Sequence, residues 1–269
     1  MREAKVRAME HLVTEGRRIR LALTFLTRLP LGGADWSPQD FRGSVLWFPV
    51  AGLVIGLAQG AVAWAASALF PAEICGALAV ITGVLVSGGL HLDGLMDTFD
   101  GLGSGKPPPE ALDIMRDTRV GAFGVTAAIL VILLQFAAAV SLARRGYPLL
   151  FAGYSVGTCL SRMSLSLATA AYPYRRSQGV GALFRGAGIR ELVGALALGA
   201  AAGWLFLHWA GLVLLLLSLL FALAFCHLMR RLFGGLTGDI YGALAELETA
   251  ALLLSAVALL GGLPVAGDQ

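Results

Sequence analysis

Long apolar runs separated by short polar stretches dominate this chain. Each run approaches or exceeds the roughly 20 residues that an α-helix needs to cross a bilayer. The runs show none of the short apolar–polar alternation of outer-membrane barrel strands. The pattern therefore predicts an all-α polytopic bundle of about seven transmembrane helices. The predicted spans are residues 45–69, 73–92, 119–143, 149–171, 190–208, 211–229 and 245–262.

The N-terminal segment, residues 1–30, has a different pattern. Its apolar part, Leu21 to Leu31, is interrupted by Arg28 and lacks a small-residue cleavage site, so it is not read as a signal peptide. An amphipathic helix at the membrane interface is the better interpretation. No long linker or low-complexity stretch follows, which favours a single domain over residues 1–269.

Composition agrees with a membrane protein. The chain is 57% hydrophobic and 14% charged, whereas soluble domains carry roughly a quarter charged residues. No basic stripe interleaved with aromatic residues is present, which argues against nucleic-acid binding. Cys75, Cys159 and Cys226 lie far apart in apolar segments and indicate neither a zinc site nor a disulfide framework.

The basic residues predict the orientation. When the N-terminus is placed in the cytoplasm, 17 of the 20 Lys and Arg residues fall in cytoplasmic segments. The predicted location is the bacterial cytoplasmic (inner) membrane. The acidic stretch 88–105, the loop 172–189 and the turn 230–242 then share the cytoplasmic face. That arrangement predicts one cytoplasmic site.

The acidic stretch, "GGLHLDGLMDTFDGLGSG", follows an apolar run directly. Asp93, Asp97 and Asp100 stand at i, i+4 and i+7, so a helix places them on one face. Like charges on one face repel each other unless a cation lies between them. A solvated acidic hairpin is the alternative.

A second acidic pair follows in "KPPPEALDIMRD", where prolines mark a helix start and Asp113 and Asp117 are again four residues apart. Carboxylates suit hard cations such as Mg²⁺, which usually completes its shell with phosphate oxygens. The pattern favours a metal-dependent phosphoryl-transfer site.

Other polar residues within apolar surroundings are secondary candidates. His91 is suited to ligating a metal or touching phosphate, or to a structural role. Arg162 lies inside a predicted span, where it binds phosphate or pairs with an aspartate. Asp239 either caps the last helix or closes the site from across the bundle, and Glu246 stays undecided.

The motifs "GGLHLDGLMDTFDG", "DIMRDTRVGAFG" and "GGLTGDIYGA" resemble the cobalamin synthase family, the adenosylcobinamide-GDP ribazoletransferases. "TFLTRLP" and "WFPVAGLVIG" extend the resemblance over most of the chain, and "YPYRRSQGVGALFRGAG" fits more loosely. The resemblance implies transfer of adenosylcobinamide phosphate from adenosylcobinamide-GDP to α-ribazole or α-ribazole 5′-phosphate, with Mg²⁺ and release of GMP. The product is adenosylcobalamin or its 5′-phosphate, and this step assembles the nucleotide loop of vitamin B12.

The resemblance also implies residue roles. Mg²⁺ and catalysis are assigned to Asp93, Asp97, Asp100 and Asp117. Substrate binding is assigned to His91, Arg116, Arg162 and Asp239, with Arg116 and Arg162 as phosphate clamps. Loop 172–189 is expected to form a wall of the site. Homo-oligomerisation and docking to other corrinoid-pathway enzymes stay open.

Three other functions remain as alternatives. "DTFDG" with "DIMRD" is similar to the aspartate motif of CDP-alcohol phosphotransferases, although the separation is shorter and the Ala-Arg after the Asp-Gly is absent. A prenyltransferase would carry aspartate motifs on two separate helices. A transporter would place its site near the midplane, often between repeated halves.

Overall fold

In the computed structural model, the described residues are 2–32 and 36–260, without the side chains of residues 2–8 and 180. Within them the chain is helical and forms no strand beyond an isolated bridge between Tyr174 and Leu236. The predicted all-α class is confirmed. The helices are α1 (Arg2–Leu26), α2 (Pro38–Ser44), α3 (Phe48–Ala66), α4 (Ala72–Ser87), α5 (Leu90–Gly103), α6 (Pro108–Ile114), α7 (Ala122–Arg145), α8 (Tyr147–Ala171), α9 (Ile189–Phe233) and α10 (Gly238–Leu260).

Several of these helices are long and apolar enough to cross a membrane. Within the described residues they are Pro38–Ala66, Ala122–Arg145, Ile189–Phe233 and Gly238–Leu260. The bent pair α4 and α5 forms a fifth candidate if it is taken as one broken span. The chain is therefore a helical membrane protein, and the count of seven spans stays a prediction.

The helix α9 accounts for two of the predicted spans. Its 45 residues contain a break at His208, where φ is 49° and ψ is −128°. A Cβ added to Gly211 would fall within van der Waals distance of the Gly203 backbone, so the two halves pack backbone to backbone beside the break. Helical segments thus occupy both 190–208 and 211–229, as the sequence predicted.

The helix α8 is the central element of the bundle, because almost every residue from Leu150 to Ala168 is buried. Its tightest neighbour is α3. A Cβ on Gly52 would lie 2.2 Å from the Thr158 carbonyl oxygen, and one on Gly56 would lie 2.3 Å from that of Tyr154. Gly52 and Gly56, four residues apart on α3, therefore form a helix-packing surface against α8. Because the neighbours of α8 are other helices, its polar side chains find hydrogen-bond partners, as Ser164 does with Glu248 and Ser166 with the Val45 carbonyl oxygen.

The predicted span 73–92 is wrong at its C-terminal end. Helix α4 ends at Ser87, and Gly88 and Gly89 follow with φ values of 65° and 72°. Only glycine adopts this left-handed region readily, and two in succession turn α5 by 90° away from α4. The acidic residues therefore lie on a helix, as their spacing predicted, and this helix of 14 residues is separate from α4.

Helix α5 crosses the start of α10 at very short distance. A Cβ on Gly94 would lie 2.8 Å from the Asp239 carbonyl oxygen, and one on Gly242 would lie 2.8 Å from that of His91. Larger residues at either glycine would push the helices apart. This crossing brings the N-terminal turn of α5 against the N-terminal turn of α10.

Candidate functional site

A cavity of about 230 Å³ opens at the crossing of α5 and α10. Its wall combines the end of α1, the starts of α3, α5 and α10, the end of α8, and the loop that follows α8. The three polar regions predicted to share one face therefore converge on one cavity. The lining residues are Phe25, Leu26, Phe48, Leu90, His91, Asp93, Gly94, Leu165, Thr169, Tyr174, Arg176, Gly179, Gly181, Phe184, Gly238, Asp239, Tyr241 and Gly242.

The cavity has a polar end and an aromatic end. Asp93, His91 and Asp239 stand at the polar end, where the first turns of α5 and α10 meet. The aromatic end is built on Phe184, whose ring centroid lies 4.7 Å from that of Phe25 and 5.4 Å from that of Phe48. A ligand in this cavity meets charge on one side and a cluster of mutually tilted aromatic rings on the other.

Arg176 forms the main ion pair of the polar end. Its Nη2 lies 2.7 Å from Asp239 Oδ2, and the two side chains are 17% and 18% exposed. The Nε atom of Arg176 is buried and has no hydrogen-bond partner within the described residues. Arg176 therefore keeps a free donor while it neutralises Asp239.

The carboxylates of α5 repel one another. Asp97 is repelled by Asp93, Asp239 and Asp100 and attracted by Arg176. Among the described residues, the side chains of Asp93 and Asp97 make no hydrogen bond or ion pair. Asp97 lies one turn beyond Asp93 and outside the cavity wall. The two form a pair of uncompensated carboxylates at the rim.

Asp100 has a different environment. Its Oδ2 accepts a hydrogen bond of 2.7 Å from the Gly121 N–H, and its Oδ1 accepts one of 2.8 Å from the Gly124 N–H. These amides are at the first turn of α7, where a carboxylate is favoured by unpaired N–H groups and the helix dipole. Asp100 thus caps α7 from the neighbouring helix.

Asp117 and Arg116 lie in the segment between α6 and α7 and do not line the cavity. Arg119 donates to both carboxylate oxygens of Asp117, and these hydrogen bonds lower the pKa of Asp117 to about 2. Arg116 is exposed and lies 3.6 Å from Asp113. The structure therefore gives Asp117 and Arg116 partners outside the cavity.

Arg162 does not reach the cavity either, since it lines a separate space of about 20 Å³ in the bundle interior. Its guanidinium lies 3.3 Å from His91 Nδ1 and 3.8 Å from Glu246 Oε1. The predicted alternative of an aspartate partner is not what is found. Arg162 touches the cavity only through His91.

The loop after α8 supplies residues that sequence reasoning did not single out. Tyr174 and Arg176 are fixed by the hydrogen bonds of their neighbours, Arg175 N–H to the Leu236 carbonyl at 2.8 Å and Leu236 N–H to the Pro173 carbonyl at 2.9 Å. The Arg185 guanidinium lies 5.5 Å from the Tyr174 ring centre. Burial raises the pKa of Tyr174. The available signal was "YPYRR", polar and aromatic beside a predicted turn.

The donor set at the rim can be tested against a magnesium ion. Within the described part of the chain, no group of three or more His, Cys, Asp and Glu side chains is preassembled for a metal. Within the acidic stretch 88–105, Asp93 and Asp97 offer carboxylate oxygens that have no other partner among the described residues. Mg²⁺ commonly uses one or two carboxylates and takes the rest of its shell from water and phosphate. The residues present fit such an ion.

Comparison with known proteins gives a consistent result. The profile of the cobalamin-5-phosphate synthase family matches residues 18–257. A Brevibacillus brevis protein named adenosylcobinamide-GDP ribazoletransferase is 38% identical over 235 residues, covering 87% of this chain and 94% of the relative. No solved structure matches the chain significantly.

Two further relatives carry the same name. The Desulfitobacterium hafniense protein is 37% identical and covers 91% of this chain and 98% of the relative. The Escherichia coli protein is 34% identical and covers 87% of this chain and 96% of the relative. These matches do not favour a CDP-alcohol phosphotransferase, a prenyltransferase or a transporter. The chain belongs to the cobalamin-5-phosphate synthase family.

Proposed function

We propose that this protein transfers adenosylcobinamide phosphate from adenosylcobinamide-GDP to α-ribazole or α-ribazole 5′-phosphate. A ribazole hydroxyl oxygen attacks the phosphorus that bears the cobinamide, and the bond from that phosphorus to the bridging oxygen of GMP breaks. The hydroxyl proton passes to a carboxylate of the rim, and GMP leaves. The products are adenosylcobalamin, or its 5′-phosphate, and GMP. The observation that carries the proposal is a cavity with the unpaired carboxylate of Asp93 at one end and an aromatic surface at the other, with Asp97 one helical turn beyond Asp93.

The two ends of the cavity suit the two substrates. The aromatic surface around Phe184 fits the flat heterocycle of α-ribazole, because aromatic rings gain from stacked and edge contacts. At about 230 Å³, the cavity is smaller than the roughly 300–1,000 Å³ usual for drug-sized ligands. The bulky corrinoid therefore stays at the mouth, and only its diphosphate reaches the polar end.

We propose that Asp93 and Asp97 hold Mg²⁺. When bound, the ion neutralises charge on the diphosphate and on the departing GMP. These carboxylates have no other partner in the part of the chain that the structure describes, which supports this assignment. Asp100 and Asp117 also belong to the metal set predicted from sequence. Because both carboxylates already accept hydrogen bonds from other residues, they are weaker candidates for metal ligands than Asp93 and Asp97.

Arg176 is proposed to bind the diphosphate together with His91. The free Nε–H of Arg176 and its position beside Asp239 support this role, because guanidinium donors match phosphate oxygens well. Asp239 orients Arg176 through their ion pair. The sequence suggested Arg116 and Arg162 as phosphate-binding residues, and the proposal assigns this role to Arg176 of the loop after α8 instead.

The proposed location is the bacterial cytoplasmic membrane, with the N-terminus and the cavity on the cytoplasmic side. The excess of Lys and Arg in the segments on that side supports this orientation. Nucleotide-activated substrates are also cytoplasmic compounds. Contact with further corrinoid-pathway enzymes and self-association are compatible with this placement.

The test is a turnover assay on the full chain in lipid. The purified protein receives adenosylcobinamide-GDP, α-ribazole and Mg²⁺, and corrinoid product and GMP are followed together. Equal formation of both, abolished by a chelator and restored by Mg²⁺, is the expected result. A folded, lipid-embedded sample that forms neither would refute the proposed reaction. Formation of both products in the presence of chelator would refute the role of the metal but not the proposed reaction.

A further inference from the structure

His91 and Arg162 form a buried contact whose chemistry fixes the state of the histidine ring. Both side chains are 2% exposed, and Arg162 Nη2 lies 3.3 Å from His91 Nδ1. A guanidinium has only donors, so Nδ1 must accept this hydrogen bond. A neutral ring with an accepting Nδ1 carries its proton on Nε2.

The guanidinium that imposes this state is itself held in place. Arg162 Nη1 donates to Ser161 Oγ at 2.8 Å and to Thr249 Oγ1 at 3.1 Å. Glu246 Oε1 lies 3.8 Å from Nη2, and its other oxygen accepts from Gln135 at 2.9 Å. Rotation of Arg162 away from His91 would break several of these contacts inside the bundle. The hydrogen bond to Nδ1 is therefore a fixed feature of the fold.

The remaining nitrogen of the ring is available to the cavity. His91 is one of the lining residues, and its Nε2 has no hydrogen-bond partner among the described residues. Its backbone is pinned as well, because Gly242 of α10 packs directly against its carbonyl oxygen. A nitrogen that carries a proton has no lone pair for a metal, which leaves donation to an anion as its chemistry.

We propose that Arg162 is a positioning residue that holds His91 with its proton on Nε2, so that Nε2–H donates a hydrogen bond to a phosphate oxygen in the cavity. The phosphate belongs to the diphosphate of the nucleotide-activated substrate, and this part rests on the proposed function. His91 is then a substrate-binding donor and not a metal ligand. Arg162 acts through His91 and touches no substrate.

Nitrogen NMR on the full chain in lipid nanodiscs tests the ring state directly. The protein is labelled with ¹⁵N-histidine, and the signals of His91 are identified by their loss in a His91→Gln variant, since the chain has 4 histidines. The expected spectrum at neutral pH shows a protonated Nε2 and an unprotonated Nδ1. A protonated Nδ1 would overturn the proposal. This measurement needs no turnover, so it separates failure of this inference from failure of the proposed reaction.

The same sample tests the ligand. Inorganic pyrophosphate with Mg²⁺ is expected to shift the His91 Nε2–H signal, as is adenosylcobinamide-GDP. A shift with pyrophosphate alone supports the donor role and contradicts the assigned substrate. No shift with either compound, at concentrations that saturate binding measured independently, overturns the donor role.

Two substitutions of His91 provide a matched functional pair. In His91→Gln the amide nitrogen reaches the position of Nε2 and can still donate, whereas in His91→Asn the polar atoms stop near Nδ1. Expected losses in turnover number are below about tenfold for glutamine and about 100-fold for asparagine, the effect of removing one donor to a developing charge. Equal losses in two folded variants would contradict donation through Nε2.

A final variant tests the role of Arg162. Arg162→Met removes the donor, and the proton is expected to distribute over both ring nitrogens, with turnover falling and KM rising. Should that variant not fold, Thr249→Val removes one of the guanidinium's supports and is expected to broaden the His91 Nδ1 signal. An unchanged Nε2-protonated ring in folded Arg162→Met would overturn the positioning role.

Discussion

Two groups of charged side chains lie close together in this molecule and differ in one respect. At the rim of the cavity, Asp93 is exposed and Asp97, one turn beyond it, is half-buried, and neither side chain has a hydrogen-bond or ion-pair partner among the described residues. In the bundle interior, Arg162 and Glu246 are surrounded by donors and acceptors from three helices. Charge left uncompensated in the first group is matched in the second.

The difference separates ligand binding from support of the fold. A charge within an apolar bundle costs several kcal/mol unless it is paired and hydrogen-bonded. The exposed carboxylate of Asp93 can remain unpaired because water solvates it, whereas half-buried Asp97 is desolvated and repelled by its acidic neighbours, a cost that a bound cation would relieve. The interior side chains therefore keep their present partners, whereas the rim carboxylates gain a partner when a ligand binds.

The largest expected effect is on the rim. Asp93→Asn or Asp97→Asn should lower turnover by at least about 100-fold, because a neutral amide is a weak ligand for Mg²⁺ and leaves substrate charge unbalanced. Stability should not fall, since each change removes repulsion within α5. GMP release at saturating Mg²⁺ measures the effect.

Asp113→Asn is the matched control. Asp113 is an exposed aspartate of the same acidic region, and its neighbour is Arg116 at 3.6 Å. Its turnover should stay at the unmodified level. Near-normal turnover in Asp93→Asn or Asp97→Asn would refute the metal-ligand assignment.

The next effect concerns the interior group and is one of stability. Glu246→Ala removes the ion-pair partner of the Arg162 guanidinium and should cost about 2–3 kcal/mol in the free energy of unfolding, somewhat less than the loss of a fully buried pair. Glu246→Gln keeps the contact with Gln135 and should cost less. Unfolding in mild detergent, followed by circular dichroism, measures both.

The ion pair between Glu73 and Arg144 serves as the comparison. Its side chains are 48% and 66% exposed, and exposed pairs contribute less than about 1 kcal/mol. The free energy of unfolding of Glu73→Ala should therefore be close to that of the unmodified protein. If Glu246→Ala is no worse than Glu73→Ala, the interior group does not support the fold as argued.

The sequence predicted the helical class and the acidic helix face, because apolar run length and i, i+4 spacing are local properties. The bend at Gly88 and Gly89 was missed, since paired glycines in an apolar run also fit a continuous span. Local pattern therefore predicted that the aspartates share a helix face, but not that their helix is turned away from the apolar helix before it.

Partners across the bundle could not be predicted from local pattern. Asp100 matches Asp97 in spacing, yet the first turn of α7 occupies it. Arg162 was assigned to phosphate, although Glu246, 84 positions away, lies beside it. Arg176 was not singled out, because its proposed phosphate-binding role depends on its ion pair with Asp239 and on its buried, unpartnered Nε, and neither is visible in the sequence. Such roles follow from tertiary contacts alone.

A smaller effect tests how the two groups are joined. Gly94 lies at the crossing of α5 and α10, and a Cβ there would meet the Asp239 carbonyl oxygen at 2.8 Å. Gly94→Ala should separate the helices slightly and lower turnover about tenfold, because small misplacements of catalytic groups slow reaction strongly. Gly16→Ala, where no atom lies within 4 Å of the added Cβ, should leave turnover unchanged. Equal turnover of the two variants would show that the crossing does not set the site.

The smallest effect is expected at Asp117, which the sequence placed in the same metal set as Asp93. Arg119 occupies both of its oxygens at distances of 2.6–3.2 Å, and exposed pairs of this kind contribute little, so Asp117→Asn should reduce turnover less than about fivefold. The ratio of this loss to that of Asp93→Asn decides between two arrangements. A small ratio keeps the metal on Asp93 and Asp97 alone. Equal losses would mean that Asp117 leaves Arg119 and joins the rim when substrate binds, because in the structure described here it lies outside the cavity wall and has no other route to the reacting groups.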